Sequence, residues 1–530
     1  MHKNDFLKGA FILTIAGIIV KVIGSVNRII LSRLLGGEGI GLYQMAYPMY
    51  QLALSVSSAG IPVAISILVA EKLALKDVYG AKRIFQVSLK VMVMTGLIFS
   101  LLLYFGAGWL IEAHIVRDQR AYYSIVALAP AIFFVTVLSS YRGFFQGMQS
   151  MTPTAVSQIF EQLFRVITMI VLAVVLLPYG LSYAAAGASF GAAPGAVAGV
   201  IVLLYYYWRY KKENKTKVVI RNTDHKQESS YRIIKNIIKL ALPVSLANIM
   251  LPLTANIDLL IVPVRLETAG YTVEEATELF GYLTGMAVSL VNLPTILTAS
   301  LAASLVPAIS EAYTLKDQHA IRQRTKTAFR IANLLGIPSF MGLFLLAFPI
   351  SELLYATPNA GTCIAILSFG IILLGIGQVT TGILQGLGHT TIPLVNMVIS
   401  ALAKLGLSYW LTADPVLGIK GAAWATNADF GIAAVLNLIF VYRYVGVGID
   451  IKDTCKVIVS TAVMGLIVLI SYDFAMIHIM NNTFATLLAI FAGGMTYLVS
   501  LILTRSITSQ DMVSIPVVGK KISALYDKLK

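Results

Sequence analysis

The sequence predicts an all-α integral membrane protein, with about fourteen transmembrane helices in two pseudo-symmetric six-helix lobes plus two C-terminal helices. Three observations predict it: the composition, the long uncharged runs, and an internal repeat. Of 530 residues, 58% are hydrophobic and 12% charged, where an ordinary soluble domain carries roughly 25% charged residues. With a mean hydropathy of +0.81, the outer surface must itself be apolar, which excludes a soluble globular enzyme. The formal charge of +15 comes from cations that flank apolar runs rather than gather on one solvated face, so nucleic acid is excluded as a partner. Cys363 and Cys455 are far apart and form no CxxC, and the six His residues are scattered without ligand spacing, so neither disulfide, metal nor other cofactor is expected.

A bilayer-spanning helix needs about 20 mostly apolar residues, and an open sheet cannot satisfy its backbone in hydrocarbon. The first span, 6–32, is a retained helix and not a leader, because Lys21 interrupts it and no A-x-A site follows. Gly37-x-Gly39-x-Gly41 has no strand before it, so it reads as a turn into the second span, 40–70, and not as a dinucleotide loop. Spans 84–110, 121–146, 153–177 and 182–208 follow, the last two divided at Pro178-Tyr179-Gly180. Tyr205-Tyr206-Tyr207-Trp208 before Arg209 reads as an interfacial aromatic belt. The basic stretch 209–232 is a cytoplasmic linker lying on anionic headgroups. The second series runs 233–264, 279–310, 328–350, 360–387, 391–412 and 419–442, and spans 455–473 and 484–504 follow it. The resulting domains are an N-terminal lobe (1–208), the linker (209–232), a C-terminal lobe (233–446), helices 13 and 14 (447–506) and a cytoplasmic tail (507–530) with Lys520, Lys521, Lys528 and Lys530 at the interface. Threading the spans from a cytoplasmic N-terminus puts thirty of the 40 Lys and Arg inside and five outside. A multi-pass protein of the cytoplasmic membrane with both termini cytoplasmic is expected. Prolines within spans (Pro48, Pro62, Pro243, Pro252, Pro294 and Pro307) are bending points.

The repeat has a shift near 240 residues. Lys90, Gly96 and Glu112 recur as Arg330, Gly336 and Glu352; Ala64-Ile65-Ser66 as Ala308-Ile309-Ser310; Gly143-x-x-Gln146-Gly147 as Gly382-x-x-Gln385-Gly386. Thr152-Pro153 and Thr391-Ile392-Pro393 then open the next helices, and Gly187-Ala188 is answered by Gly421-Ala422. A period this long suits a transporter of two parallel halves with its substrate path in the cleft between lobes.

With these elements in place, the chain resembles the multidrug/oligosaccharidyl-lipid/polysaccharide (MOP) exporter superfamily, in particular its polysaccharide-transporter and stage V sporulation protein B-like branch, with the MurJ lipid II flippases as relatives. The resemblance spans nearly the whole chain. It is most specific at Phe6-Leu7-Lys8-Gly9, Val26-Asn27-Arg28, Gly36-Gly37-Glu38-Gly39-Ile40-Gly41-Leu42-Tyr43 and Gly60-Ile61-Pro62-Val63-Ala64-Ile65-Ser66. It implies an alternating-access, ATP-independent carrier of a polyprenyl-diphosphate-linked saccharide for cell-wall or polysaccharide assembly. Where lipid II flippases carry first-helix arginines, this chain has Lys21 and Asn27, with Arg28 one place later.

Charge inside a span faces a cavity, a partner or an ion path. Lys21 and Arg28, seven apart, share one helix face and suit a diphosphate; the alternative is that Lys21 pairs with an acid and Arg28 snorkels. Arg165 either joins this cationic set or is neutralised by Glu161 four residues before it, and Lys404 occupies the equivalent place in the second repeat with no acid three or four residues before it. Asp258 with Asn256, and Asp429 beside Asn427 and Thr426, offer oxygen ligands for Na⁺ or a titratable site for H⁺; pairing with neighbouring cations is the competing reading. No GxxxxGK[ST] sequence is present, and transport is expected to run on a gradient. The expected function is a flippase or exporter of lipid-linked saccharides, not an enzyme. It is expected to act as a monomer among membrane lipids and to draw on wall-synthesis enzymes as partners. The alternative is a multidrug or cation antiporter of the same superfamily, which favours acids in its cavity. A membrane-embedded glycosyltransferase would need paired acids on a long external loop; the longest candidates are 110–121 and 265–279, and although the second holds Glu267, Glu274, Glu275 and Glu278, Glu274 and Glu278 read as solvated helix-face charges.

Overall fold

The computed structural model describes residues 3–58, 60–214 and 228–504, all helical elements and their connections among the described residues. Linker residues 215–227 and the tail 507–530 lie outside the described residues. Packing divides the chain into two compact units, Met1–Gly285 and Met286–Lys530.

In the first unit, α1 (Lys3–Ser58) is broken at one residue, Gly36, whose φ of 66° and ψ of −172° are open only to glycine at low cost. The break makes α1 two arms. The turn expected over Gly37–Gly41 is therefore confined to Gly36, and Gly37, Gly39 and Gly41 belong to the helical second arm. They serve close packing there: a Cβ on Gly41 would lie 2.0 Å from the Thr277 carbonyl oxygen, and one on Gly37 2.4 Å from the Tyr282 ring. Then follow α2 (Ile61–Ala74), α3 (Val78–Glu112), α4 (Tyr122–Gly147), α5 (Met151–Leu176), α6 (Leu181–Phe190), α7 (Ala192–Asn214), α8 (Ser230–Thr268) and α9 (Val273–Phe280). Part of the expected external loop at 265–279 is thus helical, its entry fixed by a Thr272–Glu275 capping box. A π-helical turn, Gly281–Ala287, follows and contains the division between the units. Its core joins α2, α3, α4, α7 and α8 around Phe85, whose ring lies 4.5 Å from Phe144, 5.1 Å from Tyr141 and 5.3 Å from Tyr207. The aromatic run at 205–208 is accordingly divided by the helix: Tyr205 and Trp208 are exposed, while Tyr207 packs into this core.

The second unit contains α10 (Val288–Thr314), α11 (Gln318–Leu345), α12 (Ala347–Tyr355), α13 (Gly361–Ser368), α14 (Gly370–Gly386), α15 (Thr391–Leu411), α16 (Ile419–Val445), α17 (Ile451–Ile479) and α18 (Asn482–Leu503). The backbone repeats with the sequence. Left-handed residues at Lys76, His114 and Gln149 recur at Lys316, Ala356 and Gly388. Asp77 and Asp317, each following a left-handed lysine, cap α3 and α11 through bonds from Gly80 N (2.7 Å) and Ala320 N (2.9 Å). The Gln-Gly elements have a packing reason too, since a Cβ on Gly143 or Gly382 would lie 2.7 Å from the carbonyl oxygen of Pro62 or Ala302 respectively. Only hydrogen at these two positions lets α4 reach α2 and α14 reach α10.

Eleven stretches among the described residues are long and apolar enough to cross a membrane, or twelve if the α13–α14 pair, bent by 42°, is one span. This is fewer than the fourteen expected. The difference begins at the N-terminus, where the expected spans 6–32 and 40–70 fall within a single 60-residue apolar stretch, Ile15–Ala74, that includes the break at Gly36.

Candidate functional site

The site grows from the break in α1. Arg28 and Gln44 are sixteen residues apart, yet Arg28 Nη1 donates to Gln44 Oε1 at 3.0 Å. On a straight helix they would be about 24 Å apart. The two arms must fold back on each other at Gly36, midway between them, and Arg28 also lies 5.6 Å from the centre of the Tyr43 ring. Asn27, one residue earlier, is buried against α5 with its amide donating to Met169 Sδ.

The next contribution is from α5, where Ser157, Glu161 and Arg165 recur every four residues on one face. Arg165 Nη2 donates to Glu161 Oε1 at 2.8 Å, as the sequence spacing allows, but Glu161 Oε2 is also taken by Arg142 Nη2 of α4 at 2.8 Å. Arg142 Nε donates to Ser157 Oγ, and Arg165 Nε is buried with no hydrogen-bond partner among the described residues. Glu161 is therefore shared between two guanidiniums and does not privately neutralise Arg165. Tyr43 lies within electrostatic reach of both Arg28 and Arg165, and Tyr50 within reach of Arg165 and Glu161. The set Arg28, Arg142 and Arg165 against Glu161, three cations and one anion, leaves two positive charges in surplus. Such charge in an apolar bundle is costly unless an anion meets it.

On its outer side, the turn of α1 is held to α9 and to the loop before α4. Arg120 bridges Glu38 and Asp118, Asp118 accepts the Thr277 hydroxyl at 2.8 Å, and Arg117 Nε donates to Glu267 at 2.8 Å. That bond raises the Arg117 guanidinium above its ordinary range, with burial opposing it. Glu278 accepts the Tyr282 hydroxyl. Glu38, Asp118 and Glu267 thus link separate elements, while Glu275 and Glu278 are bonded to residues three or four positions away.

The structure thus brings two of the sequence-predicted residues, Arg28 and Arg165, to one place. Lys21 lies two turns before Arg28 on the same arm and is exposed, with only its carbonyl bonded to the Ser25 hydroxyl in the bonds described. Asn256 of α8 is buried, its amide donating to the carbonyls of Pro48 (3.1 Å) and Pro252 (2.7 Å), while its Oδ1 is buried without a hydrogen-bond partner among the described residues. Asp258 is half-buried on the same helix. In the second unit, Lys404 is buried at 3% exposure on the packed face of α15, one turn after Ser400, and Ser400 Oγ donates to the buried Asp429 Oδ1 of α16 at 2.6 Å. A polar seam continues along these helices through Asn396 to Asn437 (2.8 Å) and Asn437 to Thr381 (3.1 Å). Sequence reading missed Arg142 and the Tyr43–Tyr47–Tyr50 ladder as parts of the site. The signal for Arg142 was its place in a span otherwise uncharged from 121 to 146.

A family profile described as polysaccharide biosynthesis protein matches residues 6–313, more than half of the chain and all of the site built from α1, α4 and α5. The chain belongs to this family, within the MOP superfamily. A second profile, MatE, matches residues 283–410. Stage V sporulation protein B of Bacillus subtilis (strain 168) is 32% identical over 98% of this chain and 100% of its own length. Lipid II flippase MurJ of the same organism is 28% identical over 88% of each chain. The fold agrees with a solved structure of lipid II flippase MurJ in an inward closed conformation, at TM-score 0.70 and 16% identity over 93% of this chain and 99% of that one. It agrees also with an inward-facing multidrug resistance MATE family transporter of the MOP superfamily, at TM-score 0.67 and 16% identity over 81% and 94%. The protein is a multi-pass membrane transporter of this superfamily and not an enzyme.

Proposed function

We propose that the protein is an alternating-access flippase that moves a polyprenyl-diphosphate-linked saccharide across the cytoplasmic membrane for cell-wall or polysaccharide assembly. The observation that carries this reading is the cationic surplus of Arg28, Arg142 and Arg165 against the single carboxylate of Glu161. A guanidinium fork suits phosphate oxygens bidentately, and a diphosphate brings the two negative charges that the surplus lacks. Lys21, exposed on the same arm, is the first cation such a headgroup meets, and Lys404 is assigned a supporting role in the second unit. The resemblance to Stage V sporulation protein B and to lipid II flippase MurJ supports a lipid-linked cargo. A carrier of cationic drugs would be expected to hold carboxylates where these guanidiniums stand.

Within this proposal both termini are cytoplasmic, the protein acts as a monomer, and wall-synthesis enzymes supply or consume the cargo. Ion coupling by Na⁺ or H⁺ is assigned to Asp258 with Asn256 and to Asp429. The buried, unpartnered Oδ1 of Asn256 supports an oxygen-ligand role there.

The test is translocation in proteoliposomes of a fluorescent polyprenyl-diphosphate saccharide beside a cationic dye, with and without Na⁺ and pH gradients. Saturable movement of the diphosphate lipid, lost in the Lys21→Ala/Arg28→Ala variant, supports the flippase. Gradient-driven dye export with no lipid movement would transfer the chain to the antiporter reading.

A further inference from the structure

Seen down its axis, the second arm of α1 carries three strips. Gly37, Gly41 and Pro48 are committed to α8 and α9, through the close approach of Gly41 to the Thr277 carbonyl and the bond from Asn256 to the Pro48 carbonyl. Tyr43 and Tyr50 are buried at 7% and 2% exposure on the side of Arg165. Between these runs Gln44, Tyr47 and Gln51, spaced i, i+3, i+7 and therefore on one face, and all three are half-exposed.

We infer that Gln44, Tyr47 and Gln51 form a saccharide subsite, adjoining the cations, that reads the hydroxyls of the sugar carried by the lipid. This deepens the flippase reading and rests on it. Three facts carry the inference. First, the strip itself is polar and carries no charge; neutral polar groups match a polyol, and neither a phosphate nor a cationic drug requires them. Second, its hydrogen-bonding groups are arranged in advance. Arg28 takes the Gln44 carbonyl oxygen, leaving Gln44 its amide donors, and Gln51 Nε2 donates to the Tyr47 hydroxyl at 2.9 Å, leaving the hydroxyl proton of Tyr47 and the carbonyl oxygen of Gln51. Donors and an acceptor in one row suit sugar hydroxyls, which both give and accept. The Tyr47 ring is itself fixed, its centroid 5.6 Å from Tyr43 in a stacked pair and 5.8 Å from Tyr50. Third, the order is right. Gln44 is bonded to Arg28, so a diphosphate on Arg28 and Arg165 places the sugar, which is covalently attached to that diphosphate, next to the strip. A site built to bond hydroxyls discriminates strongly against a ligand that lacks them, because its own polar groups are then left unmet.

The experiment uses the full chain in lipid nanodiscs and two probes of equal charge: a polyprenyl diphosphate capped by a disaccharide, and the same lipid capped by methyl. The wild type should bind the disaccharide lipid more tightly. Tyr47→Phe with Gln51→Met, which keep ring and volume, should weaken the disaccharide lipid about tenfold, as the loss of one or two hydrogen bonds implies, and leave the methyl-capped lipid unchanged. Arg165→Ala should weaken both. The single Tyr47→Phe variant, which removes one oxygen, guards against misfolding of the pair and should show a smaller shift of the same selectivity. Equal binding of the two probes by the wild type, or equal effects of Tyr47→Phe on both, overturns the subsite while leaving the diphosphate site standing. Failure of the wild type to bind either probe removes the flippase reading and the subsite together.

Discussion

Arg28 and Gln44 are hydrogen-bonded at 3.0 Å across a helix that breaks between them, each eight residues from Gly36. The bond draws an intramembrane cation onto the second arm of α1, beside Tyr43, where it is available to an anion. Removing Arg28 by Arg28→Ala should therefore lower translocation of a diphosphate lipid by at least tenfold, with about one unit of charge lost at the site. Arg28→Lys keeps the charge but loses the fork and should recover only part of the rate. Initial rates in proteoliposomes, compared at matched protein incorporation, decide it; a wild-type rate in Arg28→Ala removes this residue from the site.

Glu161 separates binding from stability. Its carboxylate is bonded to Arg142 and Arg165, with side-chain exposures of 13% for Glu161, 16% for Arg142 and 20% for Arg165. Glu161→Gln leaves two largely buried guanidiniums without their counter-charge, and a loss of about 3 kcal/mol is expected from breaking such a network. Thermal unfolding in detergent should show the fall, and adding a diphosphate lipid should restore more of the lost stability in this variant than it adds to the wild type. A variant as stable as the wild type would show that Glu161 is not what holds the two arginines.

The paired close approaches give a test of the repeat that is independent of function. Gly143→Ala and Gly382→Ala each put a Cβ 2.7 Å from a facing carbonyl oxygen, of Pro62 and Ala302 respectively. Each should destabilise by roughly 1–3 kcal/mol through overpacking. Similar losses in the two variants are expected; a large loss in one and none in the other would mean that one of these helix contacts is loose.

Ion dependence is the readout for Asp258 and Asp429. Asp429→Asn should alter the response of transport to a Na⁺ or pH gradient, while Ser400→Ala, which removes the 2.6 Å bond but keeps the charge, should shift that response less. Asp258→Asn provides the same comparison in the first unit. Indifference of both aspartate variants to both gradients returns these residues to a packing role.

Much of this protein is determined by sequence alone, and the reason is the bilayer. Hydrocarbon offers no hydrogen bonds, so long uncharged runs must be helices, and every charge within them stands out. Arg28 and Arg165 were legible on that ground, and the repeat was legible because the same glycines and caps are needed twice, as Lys76-Asp77 and Lys316-Asp317 show in their backbone. Family membership followed from motifs in the opening residues. What tertiary structure alone decided is which groups meet. The i, i+4 rule pairs Glu161 with Arg165, but no local rule reveals that Arg142 of another helix takes the second oxygen. The glycine run predicted a turn, yet a single residue, Gly36, makes it, and its neighbours serve packing because α9 comes within reach of them. The aromatic run at 205–208 looked like one belt, whereas rotation of about 100° per residue sends Tyr207 into the core and Trp208 outward. Periodicity and solvation act within a segment and are written in its residues; partners across helices depend on where packing sets each helix, which no segment records by itself.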